Sequence, residues 1–309
     1  MFDSLVGEGT GELMEHKLMV WNRRSHREEE ERVYGGRLMH WVYGTWPGRV
    51  FFQALLAQAW VSKLVGAYKS TRWSGRGVDA FIQQYKIPMQ EFEEVPFTSF
   101  NDFFVREFRA GARSFSSVAS EFSAPAEGRY LAYERSDPDI IYPVKGKYLS
   151  ASAILADEKL AAEFEGGPLV IARLCPLDYH RFHYPDTGRE VKRYRIPGSL
   201  HSVNPFVLSV KEDVLCTNER VVSVLQTEQF GLLAYVEVGA LCVGKIVQTH
   251  PGTSGFSRGE EKGYFLFGGS TVILLGQPGA WKPDADLLEQ TTAGRECLVC
   301  LGERIGTTG

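Results

Sequence analysis

The rhythm of apolar and polar positions changes near residue 114. Upstream, between Arg37 and Gly66, Trp41, Tyr43, Trp46, Phe51, Phe52 and Trp60 are interleaved with Arg37, Arg49 and Lys63, a spacing that predicts amphipathic helices. VDAFIQQYKI, from Val78 to Ile87, keeps helical spacing and stops before Pro88. TSFNDFFVREF predicts a second helix, with Ser99 as its cap. The first thirty residues are polar and charge-mixed, ending in a charged run around Arg27 to Val33 that reads as a solvated helix or a loose lead-in. Beyond Arg113 the runs GRYLAYE, PLVIARL, VVSVLQT, LLAYVEVGALCVGKIV, YFLF and TVILLG are separated by Gly, Pro and Asp, which predicts strands. The expected fold class is α+β: an N-terminal helical region, residues 1–113, packed on a β-rich domain, residues 114–309, whose last strands belong to the same core.

One stretch interrupts that pattern. FLFGGSTVIL, Phe265 to Leu274, would be a single buried strand but for two glycines and a Ser-Thr pair. Glycine weakens a strand, so the interruption predicts a bend or a close backbone approach.

Composition narrows the function classes. An apolar content of 44% supports a sizeable core, and a formal net charge of -4 gives no electrostatic reason to expect nucleic acid. Five cysteines, Cys175, Cys216, Cys242, Cys297 and Cys300, are an odd set in apolar surroundings, which suits a reducing compartment better than a disulfide framework. Cys297 and Cys300 form a lone C-x-x-C with no second pair, and ECLVCLG reads as strand packing. The opening MFDSLVGEGTGELMEHK has early acids and no apolar run, so it reads neither as a secretory signal nor as a transit peptide. The most apolar segment, Val50 to Val65, is broken by Gln53, Gln58 and Lys63 and is expected to lie on a membrane rather than cross it. Aromatics beside basic residues suit a headgroup boundary, and helices that merely cover the core are the alternative.

The candidate chemistry comes from three separated elements: SAPAEGR with Glu127, DYHRFHYP with His180 and His183, and GGST with Ser270. An acid, a histidine and a serine brought together by folding make a base-activated nucleophile. As metal ligands the two histidines lack a third partner. Structural histidines capping loops remain an alternative.

Eight blocks occur in one order: SFNDFFVREF (99–108), SAPAEGR (123–129), VKGKYLS (144–150), RLCPLDYHRFHYPDTG (173–188), GSLHSVNP (198–205), NERV (218–221), VGALCVGKI (238–246) and GYFLFGGST (263–271). In these the sequence resembles the phosphatidylserine decarboxylases, a family of self-processing pyruvoyl enzymes. The resemblance implies that the chain cuts itself between Gly269 and Ser270, and that Ser270 becomes the pyruvoyl cofactor. It implies an N-to-O acyl shift that replaces the peptide by an ester. Loss of the Ser270 Cα proton then expels Gly269 as a carboxylate, and the dehydroalanine left behind hydrolyses to the ketone with release of ammonia. The residue types agree: glycine has no Cβ to block attack on its carbonyl, and the next hydroxyl lies within reach of that carbonyl when the backbone bends.

By the same resemblance His183 is the base that activates Ser270, His180 serves decarboxylation, and Glu127 is the third member of the self-cleavage set. Glu127 departs from the family, which usually has Asp here; the extra methylene moves the carboxylate by more than ~1 Å. Arg173, Arg181 and Lys145 are candidates to meet a phosphate, with surface charge as the commoner fate. His201 is taken as a pocket or core residue, and Asn204 as a turn former before Pro205. The implied partners are a phospholipid substrate, a membrane surface, the two cleaved chains held together, and a second copy in a homodimer, with no nucleic acid. The implied place is the cytoplasmic side of the cell membrane, as a peripheral protein. Three alternatives stay open: a pyruvoyl-dependent decarboxylase of another amino acid or lipid, a non-processing Ser-His-Glu hydrolase, and a silent lipid-binding homologue. Against the hydrolase, no G-x-S-x-G elbow surrounds Ser270.

Overall fold

The computed structural model describes residues 18–31, 36–52, 59–136, 149–211, 213–241, 245–252 and 254–309. Lys145 and Cys242 lie outside the described residues, as do the side chains of Arg37, Arg49, Trp60 and Lys63.

The strands are β1 (Met19–Asn22), β2 (Arg27–Glu30), β3 (Glu121–Ser123), β4 (Gly128–Tyr133), β5 (Leu169–Leu174), β6 (Arg181–His183), β7 (Gly188–Ile196), β8 (Arg220–Thr227), β9 (Leu232–Gly239), β10 (Ile246–Gln248), β11 (Gly255–Phe256), β12 (Glu261–Phe265), β13 (Ser270–Gly276), β14 (Trp281–Pro283), β15 (Cys297–Val299) and β16 (Arg304–Thr308). Ten of them make one sheet in the order β11-β7-β8-β9-β13-β5-β4-β15-β1-β2. Two three-stranded sheets, β10-β12-β6 and β14-β16-β3, accompany it. Strands β5 and β13 are buried at every position, which is why LVIARL and STVILLG read as continuous runs rather than alternating ones. Phe122 of β3 lies 4.4 Å from Trp281 and 4.7 Å from Phe230, ring centre to ring centre, so the β14-β16-β3 sheet is tied into the main core.

The helices of the N-terminal half are α1 (Gly36–Gly44), α2 (Trp46–Phe51), α3 (Ala59–Lys69), α4 (Arg72–Gly75), α5 (Val78–Tyr85) and α6 (Phe100–Phe104). No helix among the described residues is long and apolar enough to cross a membrane. Ser99 caps α6 as expected: its side chain accepts from Asp102 N, while the Asp102 carboxylate accepts from Ser99 N. Helices α5 and α6 build an aromatic cluster of Phe81, Phe100, Phe103 and Phe104 that also contains Tyr179 and Phe267. That cluster carries the N-terminal helices onto the segments bearing the candidate chemistry.

The α+β class is as expected, and strands downstream of Ser270 do enter the same core. Three expectations are corrected. Residues 18–31 are neither a helix nor a loose lead-in: β1 and β2 form a hairpin, and β1 pairs in parallel with β15. The region upstream of 114 is therefore not purely helical, because β2 is an exposed edge strand whose charged side chains give no apolar alternation. LLAYVEVGALCVGKIV is two strands, β9 and β10, in two different sheets. Asn204 does more than turn the chain: its side-chain oxygen accepts from Phe206 N and caps the helix Pro205–Val210.

Candidate active site

FLFGGSTVIL resolves into the end of β12, a turn, and β13. The two strands belong to different sheets, so the chain must change direction between them. Gly268 does this at φ +146°, a conformation that L side chains rarely adopt. A Cβ on Gly269 would lie 3.0 Å from Val203 Cγ2, so the 198–205 loop closes over this residue. The loop is seated by the helix that follows it, where Phe206 stacks on His40 of α1 at 3.8 Å. Upstream, Phe267 N donates to the buried Asn101 Oδ1 at 3.0 Å, and the Phe267 ring meets Phe100 and Phe104 edge-on at 5.1 and 5.2 Å.

Ser270 is the first residue of β13, opposite Leu174 on one side and Gly239 on the other. It is fully buried, and its Oγ has no hydrogen-bond partner. Leaving a hydroxyl in that state costs on the order of 1–3 kcal/mol.

His180 lies against the upstream part of this turn. Its carbonyl accepts from Phe265 N at 2.9 Å, its ring packs on Phe104 at 3.9 Å, and the Gly268 carbonyl lies close to the imidazole. Nδ1 is 3.1 Å from the Asp178 carbonyl, which fixes the proton on Nδ1 and leaves Nε2 without a hydrogen bond. Burial, with the positive charges of Arg106 and Arg129, holds this imidazole down to about 3 against the pull of the Asp178 and Gly268 carbonyls. His180 is therefore neutral at physiological pH, with a lone pair to offer.

His183 is differently engaged. Its backbone N donates to the Pro125 carbonyl at 2.8 Å, Nδ1 donates to the Gly259 carbonyl at 2.9 Å, and Nε2 accepts from Tyr179 Oη at 3.3 Å. Burial lowers its pKa too. Glu127 sits two residues beyond Pro125, with its carboxylate on Arg113 Nε at 2.5 Å; Arg113 in turn holds Glu91 at 2.8 Å. Burial raises the Glu127 carboxyl, and the Arg113 guanidinium opposes that rise. The backbone hydrogen bond between His183 and Pro125 brings Glu127 and His183 into one neighbourhood, with Tyr179 close to both. No hydrogen bond among the described residues joins Glu127, His183 and Ser270 to one another.

Two of the three phosphate candidates, Arg173 and Arg181, are committed elsewhere. Arg173 is buried between Glu31 and Glu296, and Arg181 pairs with Glu107 and Glu261. His201 is half-buried and stacks on Phe52 at 4.9 Å, a pocket or core position as expected. Sequence reasoning missed Asn101, Arg106, Asp178 and Tyr179. Arg106 is a buried arginine with no carboxylate partner among the described residues; it donates to the carbonyls of Phe103, Leu177 and Asp178. Burial brings it down to about 10. All four lie inside quoted blocks, SFNDFFVREF and RLCPLDYHRFHYPDTG, but a single sequence does not show which polar residues of a block turn inward.

The sequence matches the family described as phosphatidylserine decarboxylase over residues 100–307. It is 38% identical over 291 residues to the phosphatidylserine decarboxylase proenzyme of Ruminiclostridium cellulolyticum, covering 94% of this chain and 97% of that protein. It is likewise 38% identical to the corresponding proenzymes of Clostridium beijerinckii and Clostridium novyi, covering 94% of this chain and 99% of each.

Proposed function

The chain belongs to the phosphatidylserine decarboxylase family, a family of carboxy-lyases, and from that premise we propose that it breaks its own peptide bond between Gly269 and Ser270 and decarboxylates phosphatidylserine with the pyruvoyl group so made. What carries this is Ser270: a fully buried hydroxyl with no partner, at the head of a central strand, directly after a glycine-bent turn. Conversion to a keto group removes the unpaired donor, so the site suits the product. A pyruvoyl group supplies a ketone that takes up the substrate amine and accepts the electrons released as CO2 leaves.

The chain's own residues divide the remaining tasks. Asn101 and the Phe100/Phe104 pair hold Phe267, and Val203 closes the other side of the turn, so the Gly269 carbonyl and the Ser270 hydroxyl are constrained together. His180, neutral and bare at Nε2, takes or returns a proton beside this turn. The resemblance gives the self-cleavage base to His183, with Glu127 behind it. In the conformation described, Nε2 of His183 accepts from Tyr179 while Nδ1 donates to the Gly259 carbonyl, so His183 acts as a base only after releasing Tyr179. The open Nε2 of His180 favours a second assignment, in which His180 also serves the cut.

The substrate reaches the site from a lipid surface. Trp46 and Trp73 are 75% and 71% exposed on the N-terminal helices, in company with exposed Trp41, Leu64 and Tyr68 and with Arg76 stacked on Trp73 at 4.7 Å. Large aromatics beside cations suit the headgroup boundary, which supports a peripheral membrane protein; the cytoplasmic face is what the family resemblance implies.

Intact-mass measurement of the purified chain tests the reading. Two fragments are expected, residues 1–269 and 270–309, the second with its first residue converted, together with CO2 release from phosphatidylserine vesicles. A chain that stays whole and inactive after prolonged incubation removes it. His180→Ala and His183→Ala, scored separately for fragment formation and for CO2 release, assign the two histidines.

A further inference from the structure

Arg129 of β4 and Arg173 of β5 stand directly opposite each other in register, and both are buried. Two like charges on facing positions in the interior oppose folding unless an anion sits between them. That anion comes from the N-terminal hairpin. Glu31 follows β2 and turns inward, its side chain 1% exposed, with Oε1 2.9 Å from Arg129 Nε and Oε2 2.8 Å from Arg173 Nη2. Cys175 Sγ donates to Oε1 at 3.0 Å. Each arginine then has one further carboxylate, Asp178 for Arg129 and Glu296 for Arg173.

Asp178 links this cluster to the site. Its carboxylate, paired with Arg129, also accepts from Cys175 N at 2.6 Å, while its carbonyl accepts from His180 Nδ1 and from Arg106 Nη2, both at 3.1 Å. The contacts run without a gap from Glu31 through Arg129 and Asp178 to the imidazole. We infer that Glu31 is a positioning residue: the N-terminal hairpin, upstream of residues 100–307 that the family description matches, sets the tautomer and place of His180 through Arg129 and Asp178. The inference rests on the proposal that His180 serves the reaction.

The charged groups facing His180 are Arg106 beyond α6, Arg129 on β4 and Asp178 on its own loop, with the Gly268 carbonyl from the turn. Removing the Glu31 charge leaves Arg129 to Asp178 alone and draws that carboxylate towards it. The Asp178 carbonyl, and with it the His180 ring, then loses its fixed direction.

The test uses the full chain. Glu31→Gln is expected to slow fragment formation, or the CO2 release that follows it, on the order of tenfold to a hundredfold, the scale of an ångström-level misplacement. Glu31→Asp, which keeps the charge, is expected to recover part of that loss. Nitrogen-15 histidine spectra of full-length chain blocked by Ser270→Ala report the tautomer, with the His180 signals identified by their absence in His180→Asn. A protonated Nδ1 beside a bare Nε2 is expected with Glu31, and averaged nitrogens with Glu31→Gln. Arg23→Ala, which removes the hairpin's bonds to Asp284 and Asp286 without touching the cluster, is the control for general loosening. Equal slowing in Arg23→Ala and Glu31→Gln at matched melting temperatures, or an unchanged tautomer in Glu31→Gln, overturns the inference. Normal cleavage and decarboxylation by His180→Asn overturns instead the role of His180 on which it rests.

Discussion

Asn101→Leu isolates the grip on the segment just upstream of the Gly-Ser bond. Asn101 is buried; its Oδ1 accepts from Phe267 N at 3.0 Å, and its Nδ2 donates to Ser70 Oγ at 2.9 Å. Leucine nearly matches the volume, so little cavity forms, but the buried Phe267 N–H loses its acceptor at a cost of about 1–3 kcal/mol. Ser70 is exposed and recovers a water, so its share is small. A penalty of about 2 kcal/mol that falls wholly on the cleavage-competent turn slows the cut by roughly thirtyfold. The assay is a time course of intact mass from freshly folded precursor, with a melting curve on the same samples. Asn101→Leu that melts lower yet cuts at the wild-type rate would falsify the claim that this bond holds the turn for cleavage.

Three further outcomes are expected. Gly268→Ala places a side chain at φ +146°, a strain of about 1–3 kcal/mol, so fragments should form more slowly; an unchanged rate means the turn is not needed in this shape. Glu31 is held down to about 2 by Arg173 and Arg129 in spite of its burial, from an ordinary value of 4.5. Because its folded value is depressed, its contribution, roughly 3 kcal/mol at most, is present above pH 4.5 and fades as pH falls towards 2. The stability gap between wild type and Glu31→Gln should close over that interval in denaturant titrations, and a gap independent of pH refutes the assignment. Replacing Trp46 and Trp73 together by alanine should weaken sedimentation with anionic vesicles on the order of tenfold while leaving fragment formation intact, since both indoles are exposed; unchanged vesicle binding removes these two indoles as the lipid contact.

The strands at 128–133, 169–174, 220–227 and 270–276 were legible because both of their faces are covered and their apolar runs are continuous. The Ser99 cap and the break at Gly268 were legible because each is a local matter of a few dihedrals and one or two bonds. The hairpin at 18–31 was not, since REEE in an exposed edge strand has the same composition as a solvated helix. Glu31 was hidden for a related reason: it is the last of four consecutive glutamates, and only the long-range pairing of β1 with β15 separates it from its exposed neighbours. The partners of Glu127 and His183 were equally out of reach, because Arg113 and Gly259 are far from them along the chain and nothing in their local sequence announces the contact.

Strand β13 begins at Ser270 and is clasped between β9 and β5 in the middle of the ten-stranded sheet, while β14, β15 and β16 stitch the residues after it into two sheets. If the chain parts at that point, its reactive group is neither a loaned coenzyme nor a replaceable tail. A molecule whose ketone is spoiled has no means of being recharged, and a fresh C-terminal piece has no doorway by which to enter. On that reading each polypeptide receives one activation in its lifetime, and a cell restores lost capacity only through new translation.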